Sequence, residues 1–403
     1  MDLHTTDDAV TRRIKAMADR VNSFKEPGLY FYNQPIQEIL PGMKVRVNGR
    51  EMGMYASYSY LGLVNHPRIN EASKKAIDKY GTGTHGVRSL AGTLTIHTEL
   101  EETIANFKHA ESALTYSSGY ATNLTVVSTM MGRGDYVFSD KLNHASIVDG
   151  CLMSGAEFRR FRHNDMEHLE GLLKNAPSGV AKLVIADSVF SMDGDIIDLP
   201  KMVELCKTYG AYLMIDEAHS VGVLGKTGTG IEEHFNLYEG IDIKMGTLSK
   251  TIPSVGGYVA GKKDLIDYLR HASRAYIFSA ALPPAQAAAA NEAFKVILDE
   301  PERLEKLNLN TKQFIGGLKN MGFDTMLTET AIVPVLCGDD EKAFMMTAEA
   351  QHNDVFVLPV VSPAVPEGLA RLRATVTAGH DPSEIERAMD VIGEAGKKLG
   401  IIK

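Results

Sequence analysis

The chain has 403 residues, of which 44% are hydrophobic and 23% are charged, and its formal net charge is −9 at pH 7. This composition is typical of a globular protein with two domains, and the negative charge disfavours nucleic acid as a partner because a phosphate backbone would be repelled. The three cysteines lack CxxC spacing, which argues against a disulfide framework or a zinc site and favours a reducing, cytoplasmic setting. We find no signal-peptide pattern and no apolar run long enough to cross a membrane, so we expect no integral membrane segment.

Residues 1–50 are predicted to form an N-terminal helix and an extended arm. Apolar residues follow helical spacing from Thr11 to Phe24, and the sequence Glu26-Pro27-Gly28 is typical of a helix end. This segment is too short to fold alone.

Residues 51–294 alternate apolar strands with amphipathic helices, the pattern of an α/β domain. Continuous apolar strands joined by helices predict a large domain with a mostly parallel seven-stranded sheet covered by helices. Ligands of such sheets bind at the carboxyl ends of strands, where we place Asp140, Ser191, Asp216 and Lys250. The predicted strands are SALTYSS, DYVFSD, EFRRFRH, KLVIADSVF, AYLMIDEAH, IDIKMGTLSK and GGYVAG.

Residues 295–403 change pattern and predict a smaller C-terminal α+β domain. It starts with a long helix from about Glu300 and ends with a helix from Pro382 to Leu399. Arg373 lies in ARLRAT, a strand of this domain. Because a guanidinium binds a carboxylate with two parallel hydrogen bonds, Arg373 is the candidate clamp for a substrate carboxylate, although a lone strand arginine is also typical of a solvated surface.

Two strand segments end in reactive side chains, AYLMIDEAH in Asp216 and His219, and IDIKMGTLSK in Lys250. A carboxylate in a closed site keeps a pyridine nitrogen protonated, and a lysine can hold an aldehyde as an imine and later move protons. Pyridoxal 5'-phosphate (PLP) requires both groups, so we predict this cofactor with Asp216 and Lys250 as catalytic residues. Taken alone, IDEAH is equally typical of a strand followed by an acidic turn; its combination with GTLSK favours the cofactor.

A phosphate site is predicted at Ser118-Gly119-Tyr120, where a strand gives way to a helix. A glycine at a helix start lets backbone amides approach an anion. The hydroxyls of Thr247 and Ser249 would complete the shell. A purely structural turn is the alternative interpretation.

Three further side chains are candidates for contacts with the cofactor ring. His144 follows the strand DYVFSD and would lie flat over the pyridine ring as a third catalytic residue, although a helix-capping or core histidine has the same signature. His219 and Ser191 would bond to the phenolic oxygen.

HNDMEH, which starts at His163, lacks the histidine spacing of a helical zinc pair, so no metal site is predicted.

With these residues placed, the chain resembles the α-oxoamine synthases, a branch of the fold-type I PLP-dependent transferases. The similarity runs from HPRINEA near Pro67 through YSSGYATN, NHASIVDG, FSMDGD, IDEAHSVGVLG and GTLSK to RLRATVTAGHD, almost the whole chain. RFRHND, YGTG and YIFSAALPP are most similar to the bacterial serine palmitoyltransferase branch, and NHASIVDG also resembles the 2-amino-3-ketobutyrate CoA ligase branch.

The resemblance implies a role for each matching residue. Lys250 would be the imine lysine, Asp216 the partner of the pyridine nitrogen and His144 the ring-stacking histidine. Ser279 and Ala280 would reach the phosphate of the neighbouring subunit, which implies a homodimer. The other implied contacts are those of His219 and Ser191 with the phenolic oxygen, of Gly119, Tyr120, Thr247 and Ser249 with the phosphate or the lysine, and of Arg373 with the amino acid carboxylate.

The chain departs from this family at Tyr58-Ser59-Tyr60-Leu61-Gly62-Leu63. Relatives usually carry an asparagine just before the Tyr-Leu-Gly-Leu sequence, and its amide helps to grip the substrate carboxylate. Either Ser59 replaces that amide or the amino acid is held in another way.

The activity implied by the resemblance is that of a PLP-dependent acyltransferase. It would condense a small amino acid (serine, glycine or alanine) with an acyl thioester, carried by coenzyme A or an acyl carrier protein, in a decarboxylative Claisen-type reaction that gives an α-amino ketone, CO2 and free thiol. A PLP-dependent aminotransferase is one alternative, which thiol release would distinguish. A non-catalytic partner subunit of the same fold is another, and the presence of Lys250 argues against it.

Overall fold

The computed structural model describes residues 8–403 as three sheets surrounded by helices. Its helices are α1 Ala9–Lys25, α2 Pro67–Tyr80, α3 Thr95–Phe107, α4 Gly119–Met130, α5 Ala145–Ser154, α6 Met166–Asn175, α7 Leu199–Tyr209, α8 Ile231–Phe235, α9 Lys263–Ala272, α10 Arg274–Ile277, α11 Pro284–Asp299, α12 Glu302–Asn320, α13 Asp340–His352 and α14 Pro382–Lys398, with a π-helical turn at Arg88–Gly92. Its strands are β1 Ile36–Leu40, β2 Lys44–Val47, β3 Arg50–Met54, β4 Ser112–Tyr116, β5 Tyr136–Asp140, β6 Glu157–Phe161, β7 Lys182–Asp187, β8 Tyr212–Asp216, β9 Ile243–Thr247, β10 Gly257–Gly261, β11 Ile332–Gly338, β12 Val355–Phe356, β13 Pro359–Val360 and β14 Ala370–Thr375.

The central sheet has seven strands in the order β4-β10-β9-β8-β7-β5-β6. Its strands are parallel except β10, which is antiparallel to both of its neighbours, β4 and β9. All seven strands predicted from the sequence are present, and the mostly parallel sheet is confirmed. The central strands are buried along nearly their whole length because helices cover both faces, which explains their continuous apolar sequences.

One predicted strand is shorter than its apolar sequence suggests. KLVIADSVF continues to Phe190, but β7 ends at Asp187. Beyond that point the backbone N–H of Ser188 bonds to the carbonyl of Asp216, and Val189 forms an isolated bridge with Ile196, so the chain turns into a loop. Placing Ser191 at the strand end was therefore wrong, and Asp187 occupies that position.

The N-terminal hairpin is joined to the C-terminal part of the chain. Strands β1, β2 and β3 form a sheet whose fourth member is β12, parallel to β3. A separate antiparallel sheet, β11-β14-β13, carries Arg373 on its central strand. The division at residues 50 and 294 stays a prediction, and we propose that residues 8–50 form an attachment to the C-terminal domain rather than a unit of their own.

Alanine-rich α11 lies in the core and packs against α2 and α3. None of the helices within residues 8–403 has the length and apolarity needed to span a membrane.

Candidate active site

The carboxyl ends of β7, β8 and β9 and the first turns of α4 and α5 enclose a cavity of about 270 Å³. Strand carboxyl ends and helix N-termini meet here, which is where ligands bind in open α/β sheets. The structure brings ten of the sequence-predicted residues into the lining of this cavity, namely Ser118, Gly119, Tyr120, His144, Ser191, Asp216, His219, Thr247, Ser249 and Lys250.

Asp216 is the last residue of β8 and is buried at the floor of the cavity. Its Oδ2 accepts a hydrogen bond of 2.7 Å from the side-chain amide of Asn123, and its Oδ1 accepts one of 2.8 Å from the backbone N–H of Ala218. The amide of Asn123 also donates to Ser146 at 3.0 Å. These bonds fix the orientation of the carboxyl group. Asn123 had no role in the sequence prediction, although it follows Gly119 by four residues and so faces the same side of α4.

A second carboxyl group, that of Asp187, lines the same cavity. Its Oδ2 accepts a bond of 3.1 Å from the backbone N–H of His144, while its Oδ1 is buried and has no hydrogen-bond partner in the described part of the chain. Burial raises the pKa of the Asp187 carboxyl well above its usual range, and the nearby charge of Asp216 raises it further. Asp187 therefore favours the neutral form. Sequence reasoning missed it because KLVIADSVF was taken as one uninterrupted strand.

Lys250 lies three residues beyond β9, and its amine is hydrogen bonded to Nε2 of His219 at 2.8 Å. Burial lowers the pKa of this amine to about 8, although Asp216 and Asp187 act in the opposite direction. A larger fraction of the amine is therefore neutral near pH 7 than for a solvated lysine, as a nucleophile or base requires.

His219 connects Lys250 to the buried Tyr60, whose hydroxyl is 2.6 Å from the other ring nitrogen. Burial holds the pKa of His219 well below its usual range, and the charges of Lys250 and Arg373 lower it further. The imidazole is therefore neutral and serves as a hydrogen-bonding bridge. Tyr60 was quoted within a motif but had no predicted role.

His144 is both the N-cap of α5 and part of the cavity lining. Its Nδ1 accepts a bond of 3.3 Å from the backbone N–H of Ser146 and lies 2.7 Å from the hydroxyl of the same residue. The ring of Tyr120 meets the His144 ring edge-on, with centroids 6.2 Å apart. The capping interpretation and the cofactor interpretation are compatible, because the cap fixes the direction in which the imidazole faces the cavity.

The predicted phosphate site has the geometry of an anion cradle. Ser118 caps α4 by accepting a bond of 3.1 Å from the N–H of Ala121. Gly119 opens the helix so close to β9 that a Cβ there would lie 3.0 Å from the hydroxyl oxygen of Thr247. That hydroxyl is hydrogen bonded to Ser249 at 2.9 Å. The first turn of α4 and the side chains of Thr247 and Ser249 thus converge on one end of the cavity.

Arg373 and Ser59, the predicted substrate residues, lie beside this cavity rather than in its lining. Arg373 is buried and donates from Nε to the carbonyl of Ser191 at 2.6 Å and from Nη1 to the hydroxyl of Thr375 at 3.0 Å. Its Nη2 is buried without a hydrogen-bond partner among the described residues. Ser59 lines a second cavity of about 450 Å³, which shares Ser249 and Lys250 with the first.

Ser279 and Ala280 are not in the lining of either cavity of their own chain as the structure describes it. Ala280 is exposed and bridges Val87, next to the π-helical turn. Beside them, Phe278 is 72% exposed and Leu90 is 85% exposed, which is unusual for large apolar side chains.

A histidine that the sequence interpretation set aside holds the loop that follows β7. His163 bridges Asp140 at 3.1 Å and Asp195 at 2.8 Å, and its ring meets Phe190 edge-on. Asp140 ends β5 as predicted, but its carboxyl serves this bridge instead of the cavity. Burial alone would lower the pKa of His163, but the two carboxylates raise it to about 10. The residue is therefore a structural cation.

The side chains of the cavity fit PLP. A buried carboxyl held by Asn123 suits a protonated pyridine nitrogen, a lysine with a lowered pKa suits the aldehyde, and the N-terminus of α4 suits the phosphate.

Comparison with known proteins agrees with this assignment. Residues 54–392 match the family model described as aminotransferase class I and II. The chain belongs to this family. It is 43% identical to the 8-amino-7-oxononanoate synthase of Thermoanaerobacter pseudethanolicus, over 95% of this chain and 97% of that protein. It is also 43% identical to the serine palmitoyltransferase of Sphingobacterium spiritivorum, over 94% and 95% of the two chains. Both relatives are α-oxoamine synthases, so the predicted branch of the family is confirmed.

Solved structures give the same result. The chain superimposes on the serine palmitoyltransferase of S. paucimobilis, solved with a bound PLP–myriocin aldimine, with a TM-score of 0.95 and 35% identity, covering 98% of this chain and all of that one. An 8-amino-7-oxononanoate synthase from Francisella tularensis has a TM-score of 0.74 and 26% identity, covering 85% of this chain and 97% of that one. The predicted fold-type I architecture and PLP as the cofactor of the family are thereby confirmed.

Proposed function

We propose that this protein is a PLP-dependent acyltransferase that condenses a small amino acid with an acyl thioester, with loss of CO2 and release of a thiol. The observation that supports this most directly is the convergence of Asp216, Lys250 and His144 on one cavity beside Arg373. A serine palmitoyltransferase and an 8-amino-7-oxononanoate synthase are equally similar in sequence, so the amino acid is proposed only as serine, glycine or alanine.

Bound PLP supplies an electron sink that makes the α-carbon of the amino acid acidic. Asp216, oriented by Asn123, would hold the proton at the pyridine nitrogen. The N-terminus of α4, with Thr247 and Ser249, would hold the phosphate, and His219 and Ser191 would contact the phenolic oxygen.

Lys250 would remove the α-proton of the substrate and return it after CO2 is lost. Its lowered pKa favours both steps, since the amine accepts and gives up protons close to neutral pH. His219 is neutral and adds no positive charge that would depress the basicity of this amine further.

Arg373 would bind the carboxylate of the amino acid. Two of its nitrogens are already bonded to Ser191 and Thr375, which fixes the guanidinium plane, and the unpartnered Nη2 is left to meet the substrate. An anionic carboxylate also offsets the cost of burying this cation.

A homodimer completes the proposal. Ser279 would reach the phosphate of the partner subunit, and the exposed Leu90 and Phe278 beside it provide apolar surface for the contact.

The decisive experiment supplies purified holoprotein with serine, glycine or alanine and an acyl-CoA or acyl carrier protein. We expect thiol release only when both substrates are present, together with a ketone whose mass equals the acyl group plus the amino acid minus CO2. Lys250→Ala should abolish both signals. Transfer of the amino group to a 2-oxo acid without thiol release would instead establish an aminotransferase.

A further inference from the structure

The ring of Tyr58 lies beside three functional groups of the site, those of Arg373, Lys250 and His219. The Arg373 guanidinium lies over its ring, 4.6 Å from the centroid, and the Lys250 amine lies 5.7 Å from the same centroid. The ring of His219 is 5.8 Å away, tilted by 58°. One aromatic ring therefore faces the group proposed to bind the substrate carboxylate and the group proposed to exchange with its amine.

Tyr58 also stands where the two cavities meet. It lines the outer cavity of about 450 Å³, and the residues shared with the inner cavity are Ser249 and Lys250. Because the Lys250 amine lies 5.7 Å from its centroid, the ring borders the part of the outer cavity that adjoins the inner one. Tyr58 is 41% exposed, so its position does not result from burial in the core.

We propose that Tyr58 is a specificity-determining residue, whose ring closes the amino acid site over Arg373 and Lys250 and restricts the substrate to amino acids with a small, unbranched side chain. This inference rests on the proposed function, because it assumes that the amino acid binds between these two cations.

The restriction follows from the distances. An amino acid whose carboxylate meets Nη2 of Arg373 and whose nitrogen takes the site of the Lys250 amine would have its α-carbon beside the Tyr58 ring, because that ring faces both groups. Carbon atoms are in contact at about 3.5–4.0 Å. At 4.6 Å and 5.7 Å from the two cations, the ring centroid leaves no room for substrate atoms between the ring and either cation, so the ring forms a wall beside the bound amino acid. A branched side chain directed at the ring would collide with it.

The position also explains how the site works without the family's usual amide. Ser59 has a buried hydroxyl with no hydrogen-bond partner in the part of the chain that the structure describes, but it lines the outer cavity and not the inner one. Tyr58 instead packs on one face of the Arg373 guanidinium, while Ser191 and Thr375 hold its edge. A stacked and doubly bonded guanidinium presents Nη2 in a fixed direction.

The test measures equilibrium binding of amino acids to holoprotein, without any thioester, through the absorbance of the bound cofactor. Dissociation constants are determined for alanine and for valine, and their ratio is compared among variants. We expect Tyr58→Ala to reduce the preference for alanine over valine by about tenfold or more. One excess methylene group in a substrate typically changes discrimination by a factor of at least about ten. Tyr58→Phe should keep the ratio of the parent protein, because the ring and not the hydroxyl sets the limit.

Two further variants serve as a control and as a replacement for Tyr58→Ala. Tyr238→Ala removes a comparably exposed tyrosine that packs on His109, away from the site, and should leave the ratio unchanged. If Tyr58→Ala loses its cofactor, Tyr58→Leu is measured instead and should also lower the preference for alanine.

The binding data distinguish a failure of the specificity role of Tyr58 from a failure of the proposed reaction. An equal weakening of alanine and valine binding in the Tyr58 variants would overturn the specificity role and leave the proposed reaction intact. Absence of any spectral response of the parent holoprotein to alanine, glycine and serine would contradict the proposed function itself.

Discussion

Asp187 and Asp216 are direct partners in the parallel ladder between β7 and β8, so two carboxyl groups end side by side at the same edge of the sheet. Both are buried and both line the inner cavity. Asp216 has an amide and a backbone N–H to stabilise its charge, whereas one oxygen of Asp187 has no partner among residues 8–403. The pair therefore combines the Asp216 carboxylate, which is held by hydrogen bonds for the cofactor, with the Asp187 carboxyl group, whose raised pKa favours its protonated form.

The raised pKa of Asp187 should appear as a dependence of stability on pH. Below about pH 4 the carboxyl is protonated in the folded and the unfolded chain alike. As the pH rises above this value, the unfolded chain loses the proton before the folded chain does, because the folded pKa is raised, so stability falls. Asp187→Asn removes this loss. We expect the cofactor-free variant to gain at least about 1 kcal/mol over the parent between pH 4 and pH 7, measured by urea unfolding. Asp78→Asn, which changes an exposed carboxyl of α2, serves as the control, and equal gains for both variants would refute the assignment.

The lowered pKa of Lys250 predicts how fast the cofactor becomes attached. Only the neutral amine attacks an aldehyde, so the rate at which cofactor-free protein binds PLP covalently should rise with pH, with a midpoint at about pH 8. A solvated lysine would give a midpoint above pH 10. Mixing experiments followed by borohydride reduction and mass spectrometry give the rate and identify the modified residue. A midpoint above pH 10, or a label on another lysine, would show that the amine is not in the environment described above.

Features that a short segment of sequence specifies by itself could be predicted, whereas features that depend on contacts between distant segments could not. The seven strands and the position of Asp216 were predicted correctly because each has a continuous apolar segment that carries its own signal, whereas Lys250 lies three residues beyond the end of β9, the strand that was predicted to end in it. Asp187, Asn123 and Tyr58 were missed because their roles depend on strand register and on contacts between elements distant in sequence. The place of Ser191 was wrong for the same reason, since β7 ends at Asp187 and Val189 then pairs with Ile196 instead of continuing beside β8.

The close approach of β10 to α4 predicts a specific weakness of the phosphate cradle. A Cβ on Gly257 would lie 2.7 Å from Cα and 2.9 Å from the backbone nitrogen of Gly119, and backbone atoms cannot yield cheaply. Gly257→Ala should therefore displace the start of α4, destabilise the protein by roughly 2 kcal/mol and weaken the affinity for PLP phosphate. Gly316→Ala in α12 is the matched control, since its Cβ would meet nothing within 4 Å, and it should stabilise the protein by about 1 kcal/mol. Chemical unfolding and inorganic phosphate binding measure both effects; unchanged phosphate binding in Gly257→Ala would place the cradle elsewhere.

The exposed apolar patch around Ser279 predicts that assembly and cofactor retention are coupled. Phe278→Asp places a charge in the proposed contact between subunits, where its desolvation is unfavourable. We expect a shift from dimer to monomer in analytical ultracentrifugation and an accompanying loss of PLP, because Ser279 would no longer reach the partner's phosphate. Leu309→Asp changes a leucine of α12 that is 67% exposed and lies outside this patch, and it should alter neither property. A monomeric variant that keeps its full PLP affinity would exclude the contribution of Ser279.

The bridge of His163 between Asp140 and Asp195 should stabilise the loop that carries Ser191 in a pH-dependent manner. With a pKa of about 10 in the folded chain, the protonated histidine contributes fully below about pH 6.5, and this contribution is lost as pH rises through about 10. His163→Asn cannot carry the charge and leaves two carboxylates unpaired, so we expect a loss of roughly 3 kcal/mol at pH 6 that shrinks towards pH 10. His271→Asn, on the surface of α9, should show no such trend.

Because Arg373 donates to the carbonyl of Ser191 in the same loop, the His163 variant should also weaken amino acid binding. A pH-independent loss of stability would mean that the histidine acts through packing on Phe190 and not through its charge.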